Sequence, residues 1–415
     1  MEGISNEHNE QTKGEGGASV GSERSRASWT STGNTPLVSV IVPCYNHARY
    51  LADAIESALA QTHSRVQIVV VDDGSFDNTF EVASRYPDVF VVRQQNRGVS
   101  QARNVGFQYS SGEYVLFLDA DDRLTPTAVE THLRCFAEHP EAGFVVGDID
   151  LISEDGSYLR SPRWPDLATD QYEQLLKVDH VANTIAVMFR RSVFEAVGGF
   201  DLSRSGGEDY ELLLRTARAF AGAQHRCTVA QYRRHRSNTT RRGTFMLPRM
   251  EEIMQAQISL VAANPVLKAA RRQGEIQWRD FYGAVTIKEV FRHFTRGNLL
   301  LAIRALAVLR RYVRGRVFVI PWKYRKQALR RVRDLLHSST LTRRPTDELR
   351  HLAADRVPQP REGAVAPAQV HGVSEVFLTR PLSDAKAPEI SPEHHATVGQ
   401  DEQVSKADQR PLDLE

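Results

Sequence analysis

The chain has 415 residues, of which 41% are hydrophobic and 25% charged, with a formal net charge of +2. That balance excludes a wholly disordered chain and says little about partners by itself, while the length allows one large core plus appended segments, because single domains run to ~100–200 residues. Cys44, Cys135 and Cys227 lie far apart without metal-ligand spacing, which argues against a disulfide framework or a zinc site and predicts buried, inert packing in a reducing cytosol.

In chain order, residues 1–34 are polar and charged without an apolar signal-peptide core or any hydrophobic period, and are expected to form a disordered arm. An α/β domain is expected over residues 35–245. Val38-Ser39-Val40-Ile41-Val42 reads as a strand, 51–60 as a helix, 66–71 as a second strand, 78–84 as a helix, 89–92 as a third strand, 99–108 as a helix and 114–118 as a fourth strand. Continuous Val/Ile-rich strands alternating with helices predict a mainly parallel sheet covered on both faces, with ligands at the carboxyl ends of the strands. Beyond this point the pattern turns to mixed α+β, with a hairpin at Glu154-Asp155-Gly156 and a strand over 184–189. A basic amphipathic helical region is expected over 246–343, followed by a Pro-interrupted disordered tail over 344–415. No stretch reaches the ~20 apolar residues that span a bilayer, so a cytoplasmic protein is expected.

Three acidic clusters follow predicted strands or precede a helix. Asp72-Asp73-Gly74-Ser75 ends the second strand, and on its own reads more readily as a capped turn than as a ligand site. Asp119-Ala120-Asp121-Asp122 ends the fourth strand. Three carboxylates in four positions repel one another unless a cation joins them, and hard oxygen ligands suit Mg²⁺ or Mn²⁺. Between these two clusters Asn96 to Gly106 forms a polar loop entering a helix, in which Arg103 could meet phosphate charge or, equally from spacing alone, decorate the helix surface. Further on, Glu208-Asp209 precedes a helical run, where the helix dipole is expected to favour an ionised Asp209, although on its own the motif reads more readily as a capping carboxylate.

As an ordered set these residues resemble the family 2 glycosyltransferases of the GT-A fold, over about residues 38–240. The resemblance implies an α/β GT-A sheet flanked by helices and an inverting transfer of sugar from a nucleotide-diphosphate sugar, with UDP the family-weighted donor, to a hydroxyl acceptor such as a glycan or lipid-linked glycan. It places Pro43, Tyr45 and Asp73, with Asp72 beside it, at the donor; Arg103 near the nucleotide; Asp119 near the ribose or donor sugar; and Asp121 on the metal, with Asp119 and Asp122 sharing that role. Asp209 matches the family's catalytic base. Tyr232-Arg233-Arg234-His235 resembles a segment that in some relatives closes over the diphosphate, with a surface histidine the equal alternative. Trp164, flanked by Pro162 and Pro165, reads more readily as a loop anchor than as a sugar platform.

A haloacid-dehalogenase-type phosphatase could begin with Leu118-Asp119-Ala120-Asp121, but Arg123 stands where that motif carries Thr or Val. A nucleotidyltransferase would carry a Gly-rich basic loop where this chain has Pro43-Cys44-Tyr45-Asn46. A sugar-nucleotide-binding scaffold without turnover is the non-enzyme alternative. From Val290 to Arg333 there is no acidic residue, while arginines and lysines alternate with Leu, Ile, Val and Phe. Such a segment can lie on an anionic membrane surface. Nucleic acid is the competing anion, less favoured because family 2 glycosyltransferases often meet lipid-linked acceptors, and a docked helical subdomain with a solvated basic face is the competing structural expectation.

Overall fold

The computed structural model describes residues 35–177, 184–235, 237–313 and 377–378. The arm over 1–34, the stretch 314–343 of the basic region and almost all of the tail lie outside the described residues.

Strand β1 (Val38–Cys44) is buried along its whole length. It takes the centre of a parallel group with β2 (Val66–Asp72) on one side and β4 (Tyr114–Phe117) on the other, in a register that aligns Val38 with both Val66 and Tyr114. Strand β3 (Val89–Arg93) adds in parallel beyond β2. Because these four strands run the same way, the turns that follow Cys44, Asp72 and Phe117 emerge at one edge of the sheet, where an α/β fold gathers its ligands.

Helices α1 (Ala48–Leu59), α2 (Thr79–Ala83) and α3 (Val99–Gln108) connect the strands. The third predicted helix coincides with α3. Gly106 lets α3 lie directly on β1, since a Cβ there would collide with Ile41 Cγ2 and come 3.2 Å from Val71 Cγ2.

The expected mainly parallel arrangement describes only this half. The complete sheet is mixed, in the order β10-β3-β2-β1-β4-β8-β6-β9-β5. Beyond β4, strand β8 (Val187–Arg190) is antiparallel to both β4 and β6 (Ala142–Ile152). Strand β9 (Ala221–Arg233) runs parallel to β6 and antiparallel to the short β5 (Arg123–Leu124). The expected hairpin joins β6 to β7 (Tyr158–Arg160), with Gly156 at φ 90° in its turn. The strand expected from 184 instead opens as a 3₁₀ turn over Thr184–Ala186, and extended pairing begins at Val187. A two-residue strand β10 (Phe377–Leu378) pairs antiparallel with β3. Cys44 and Cys135 are buried as expected, and burial pushes the Cys44 thiol up to about 12. Cys227 is exposed, contrary to expectation, and lies in the stretch 225–227 where β9 breaks register with β6.

Helices α4 (Ala128–Glu138), α5 (Gln171–Lys177), α6 (Arg191–Val197) and α7 (Glu208–Ala219) cover the second half. The C-terminal extension then supplies α8 (Gly243–Leu260), α9 (Pro265–Thr295) and α10 (Leu299–Tyr312). The start of α9 is written locally: Asn264 Oδ1 accepts from Val266 N at 2.9 Å and Leu267 N at 3.2 Å, and Pro265 occupies the first turn. Buried Met246, Leu247, Met250, Ile253 and Met254 of α8 join the core formed by Phe117, Phe189, Tyr210 and Leu213, so the extension is continuous with the α/β core. Among the described residues no helix is long and apolar enough to cross a membrane.

Candidate active site

The turns after β1 and β2 are laced together. Asn46, at φ 54°, is the non-glycine residue with positive φ among the described residues. Its Oδ1 accepts from Phe76 N at 2.8 Å, while its backbone N–H donates to Ser75 Oγ at 2.9 Å. Asp72 is fully buried, accepts from Ser75 N at 2.9 Å, and pairs with Arg93 Nε at 3.3 Å. Asp73 accepts from Gln94 Nε2 at 2.7 Å, Arg97 N at 2.9 Å and Gly98 N at 2.8 Å. It thereby fixes the loop that leads into α3. Gly74 permits the close approach, because a Cβ there would lie 2.8 Å from Asn96 N.

These turns form one wall of a cleft of about 1060 Å³ lined by Pro43, Tyr45, Asp73, Arg103, Asp119 and Asp121, among others. Tyr45 is 39% exposed and meets Phe76 edge-on at 6.3 Å. Arg103 is the buried joint between two of the acidic motifs. Its Nη2 donates to Asp119 Oδ1 at 2.8 Å and its Nη1 to Glu208 Oε1 at 2.9 Å, with the guanidinium 5.1 Å above the Phe200 ring. Burial opposes that charge, but Asp119 and Glu208 outweigh it and hold the guanidinium firmly protonated.

The acidic trio after β4 separates into three environments. Asp119 faces Arg103. Asp122 is fully buried beneath the turn, where its Oδ1 accepts from Arg233 N at 2.7 Å. Burial first, and then the charges of Asp121 and Asp119, push its carboxyl well above the usual range. Asp121 opens into the cleft and bonds His235 Nε2 through Oδ2 at 2.6 Å. Burial works against its charge, yet the His235 hydrogen bond and the nearby His47 hold it below the ordinary carboxylate range.

His235 is held on every side. Ser237 Oγ lies 2.7 Å from its Nδ1, Asn238 Oδ1 accepts from its backbone amide at 2.6 Å, and the Tyr50 ring stacks on it at 5.6 Å. His47, at the head of α1, comes within 6.2 Å of it, ring centre to ring centre. One ligand atom each from His47, Asp121 and His235 lie within 4.8 Å of one another, a spacing that can hold a metal ion. Arg233 braces the group from below. It donates to the Asp121 carbonyl at 2.8 Å, the Glu154 carbonyl at 3.0 Å and Asp53 Oδ2 at 2.7 Å, while stacking on Tyr50.

Across the cleft, the Gly206-Gly207 turn enters α7 with both residues at positive φ, and Gly207 caps the helix in the left-handed conformation. Glu208 Oε2 accepts from Gly206 N at 2.9 Å and Asp209 Oδ1 from Tyr210 N at 2.8 Å. The helix dipole does not keep Asp209 at an ordinary value. Burial, then the neighbouring Glu208, raise its carboxyl to about 6, with Arg103 pulling the other way. A carboxylate poised there is suited to accepting a proton near neutral pH.

Pro43, Tyr45, Asp73, Arg103, Asp119, Asp121 and Asp209 are thus brought to one cleft, whereas Asp72 and Asp122 are buried behind its wall. Trp164 lines the cleft as well. His47 carries no sequence signal, because a lone histidine forms no motif, whereas Arg233 and His235 both belong to the segment Tyr232-Arg233-Arg234-His235 that resembles a diphosphate cover.

The glycosyl transferase family 2 profile matches residues 39–198. The chain is 37% identical over 174 residues to an uncharacterized glycosyltransferase of Nostoc sp., covering 40% of this chain and 54% of that protein. It is 30% identical over 185 residues to the chondroitin synthase of Pasteurella multocida, covering 43% of this chain and 19% of that one. The chain therefore spans about half of the first relative and a fifth of the second. Among solved structures, a mannosyltransferase of Pyrobaculum calidifontis, in complex with GDP-Man and Mn²⁺, superposes with a TM-score of 0.47 and 17% identity, covering 68% of this chain and 88% of that one.

Proposed function

We propose that the chain acts as a family 2 glycosyl transferase, the family whose profile matches residues 39–198, and that it moves a sugar with inversion from a nucleotide-diphosphate sugar, a UDP-sugar by family resemblance, to a hydroxyl acceptor on a glycan or lipid-linked glycan. The observation that carries this is the convergence of Asp121, His47 and His235 in the same cleft as Asp209, whose carboxyl is raised to about 6. Asp209 takes the proton of the acceptor hydroxyl as that oxygen attacks the anomeric carbon, and the nucleoside diphosphate departs from the opposite face. Pro43, Tyr45 and the Asp73-fixed loop form the donor wall, and Asp119, oriented by Arg103, faces the donor sugar.

Asp121, His235 and His47 are the residues we assign to a divalent cation. Two imidazoles with one carboxylate suit Mn²⁺ better than Mg²⁺, which prefers an all-oxygen shell. When bound, the cation offsets charge developing on the leaving diphosphate. Asp119, committed to Arg103, and Asp122, buried under the turn, fit that role less well. Replacing His235 by Ala should weaken Mn²⁺ binding ~100-fold, the upper end of what losing even an outer-sphere partner costs, and His47→Ala should weaken it similarly. Titration of free Mn²⁺ by electron paramagnetic resonance reads this directly, and unchanged affinity in both variants would move the metal elsewhere.

The donor is tested by a thermal-shift screen of UDP-, GDP-, ADP- and dTDP-sugars with and without Mn²⁺, since a ligand selective for the folded state raises its stability. A Mn²⁺-dependent rise confined to one nucleotide supports the assignment. No shift with any sugar nucleotide contradicts it.

We place the enzyme on the cytoplasmic face of an anionic membrane. Phe291 and Phe294 at the end of α9 and Leu299, Leu300, Ile303 and Leu306 of α10 are all more than half exposed, and no acidic residue occurs between 290 and 313. An apolar face with arginines beside it matches an interfacial helix. Residues 314–333 of the proposed segment lie outside the described ones. The double variant Leu300→Glu/Ile303→Glu should abolish co-flotation with vesicles containing phosphatidylglycerol while leaving thermal stability unchanged; undiminished flotation would remove the membrane assignment.

A further inference from the structure

The cleft has a second wall, which neither the donor turns nor the metal ligands occupy, and which lies beyond the matched segment 39–198. Its base is α8. The Gly206-Gly207 turn that delivers Asp209 rests on this helix so closely that a Cβ on Gly206 would come 2.7 Å from Phe245 Cε1, and one on Gly207 would collide with Met250 Cε. Its upper part is α9, which contributes Gln277, Trp278 and Phe281 to the lining. Trp278 stacks on Tyr282 at 5.6 Å and meets Tyr210, the neighbour of Asp209 in sequence, edge-on at 5.3 Å. Phe281 packs edge-on against Tyr282 at 4.9 Å yet stays 47% exposed.

Burying a phenylalanine ring is favourable. Here that surface is left open beside fixed aromatic rings in the cleft that Asp209 also lines. Such an arrangement is a stacking platform, in which apolar area supplies affinity and a few polar groups set orientation. A pyranose ring has the complementary form, with a C–H face and a rim of hydroxyls. A long alkyl chain needs an unbroken apolar channel, whereas Gln277, Thr239, Thr240 and Arg242 interrupt this one. Resting on the glycosyl-transfer reading above, we propose that Phe281 and Trp278 form the acceptor subsite, stacking a pyranose whose hydroxyls meet Gln277 and whose reacting hydroxyl faces Asp209. Acceptor choice then resides in α9 and donor choice in the turns of the parallel half-sheet.

The test uses the full chain with Mn²⁺ and the nucleotide sugar that stabilises it most. Two rates are read: nucleotide release with water as acceptor, and transfer to methyl glycosides and disaccharides of hexoses and N-acetylhexosamines. Saturation-transfer NMR reads binding of the same sugars without turnover. Phe281→Ala should raise the acceptor KM at least 10-fold and erase ring-proton saturation, with nucleotide release within twofold of wild type. Phe281→Trp should restore both. Unchanged acceptor KM in Phe281→Ala, a parallel fall in nucleotide release, or binding of dodecyl but not methyl glycosides overturns the subsite. If wild type releases no nucleotide but methyl glycosides bind through Phe281, the transfer reading fails and the saccharide site stands.

Discussion

Replacing Asp209 by Asn lowers kcat by ~10²–10⁴-fold, the contribution of a positioned general base, while nucleotide-sugar affinity measured by calorimetry stays within about twofold because the amide keeps the shape of the carboxylate. The pH profile separates this outcome from a packing defect. Burial and Glu208 raise the Asp209 carboxyl from its usual 3.8 to about 6, so the proton stays on to a higher pH than in water and the base form accumulates only above that value. In wild type kcat/KM should therefore climb with pH through about 6 and level off above it. In Asp209→Asn the residual activity should lose that acidic limb. A variant that keeps both the rate and the limb would place the base elsewhere.

Arg103→Ala should cost ~3–5 kcal/mol of stability, read as a lowered midpoint in urea unfolding, because removing one partner of a buried pair strands the other. The effect falls at the high end since one guanidinium serves Asp119 and Glu208 together, at 2.8 and 2.9 Å, and its side chain is 5% exposed. Activity should fall too, as Asp119 and the turn carrying Asp209 lose their common brace. Arg103→Lys should recover only part of the stability, because an ammonium is a point charge where the guanidinium fork reaches both carboxylates. Equal stability of wild type and Arg103→Ala would mean that the pair contributes nothing beyond its desolvation cost.

How far the chain could be read from its letters depends on distance along it. The strands Val38–Cys44 and Val66–Asp72 are continuous apolar runs because both faces are covered, and helix Val99–Gln108 is bounded by Gly98 at φ 88°. Those signals are local. Strand Ala221–Arg233 is different: its residues alternate between buried and exposed without clean period, and the sheet alone decides that it runs parallel to β6. The switch to antiparallel pairing beyond β4 is equally a property of the whole sheet, which is why a mainly parallel arrangement was expected.

The cleft shows the same division. Asp73, Asp119, Asp121 and Asp209 sit in compact acidic motifs at strand ends or a helix start, which single them out in the sequence. The His47–Asp121–His235 cluster joins three separate turns, with Asp121 and His235 114 residues apart, and no spacing rule connects them. The resemblance puts Asp121 foremost on the metal, with Asp119 and Asp122 sharing that role, and the structure separates the three: Asp122 accepts from Arg233 N beneath the turn and Asp119 pairs with Arg103. The expected helix-dipole effect on Asp209 was outweighed because desolvation and the adjacent Glu208 charge act more strongly.

The most direct measurement is nucleotide release from UDP-, GDP-, ADP- and dTDP-sugars by the full chain, with and without Mn²⁺. Nucleoside diphosphate should appear with one donor class, only when Mn²⁺ is present, and fall to background in Asp121→Ala. Failure to release nucleoside diphosphate from any of these donors across a broad acceptor panel, with binding retained, would contradict catalysis and leave a sugar-nucleotide-binding protein.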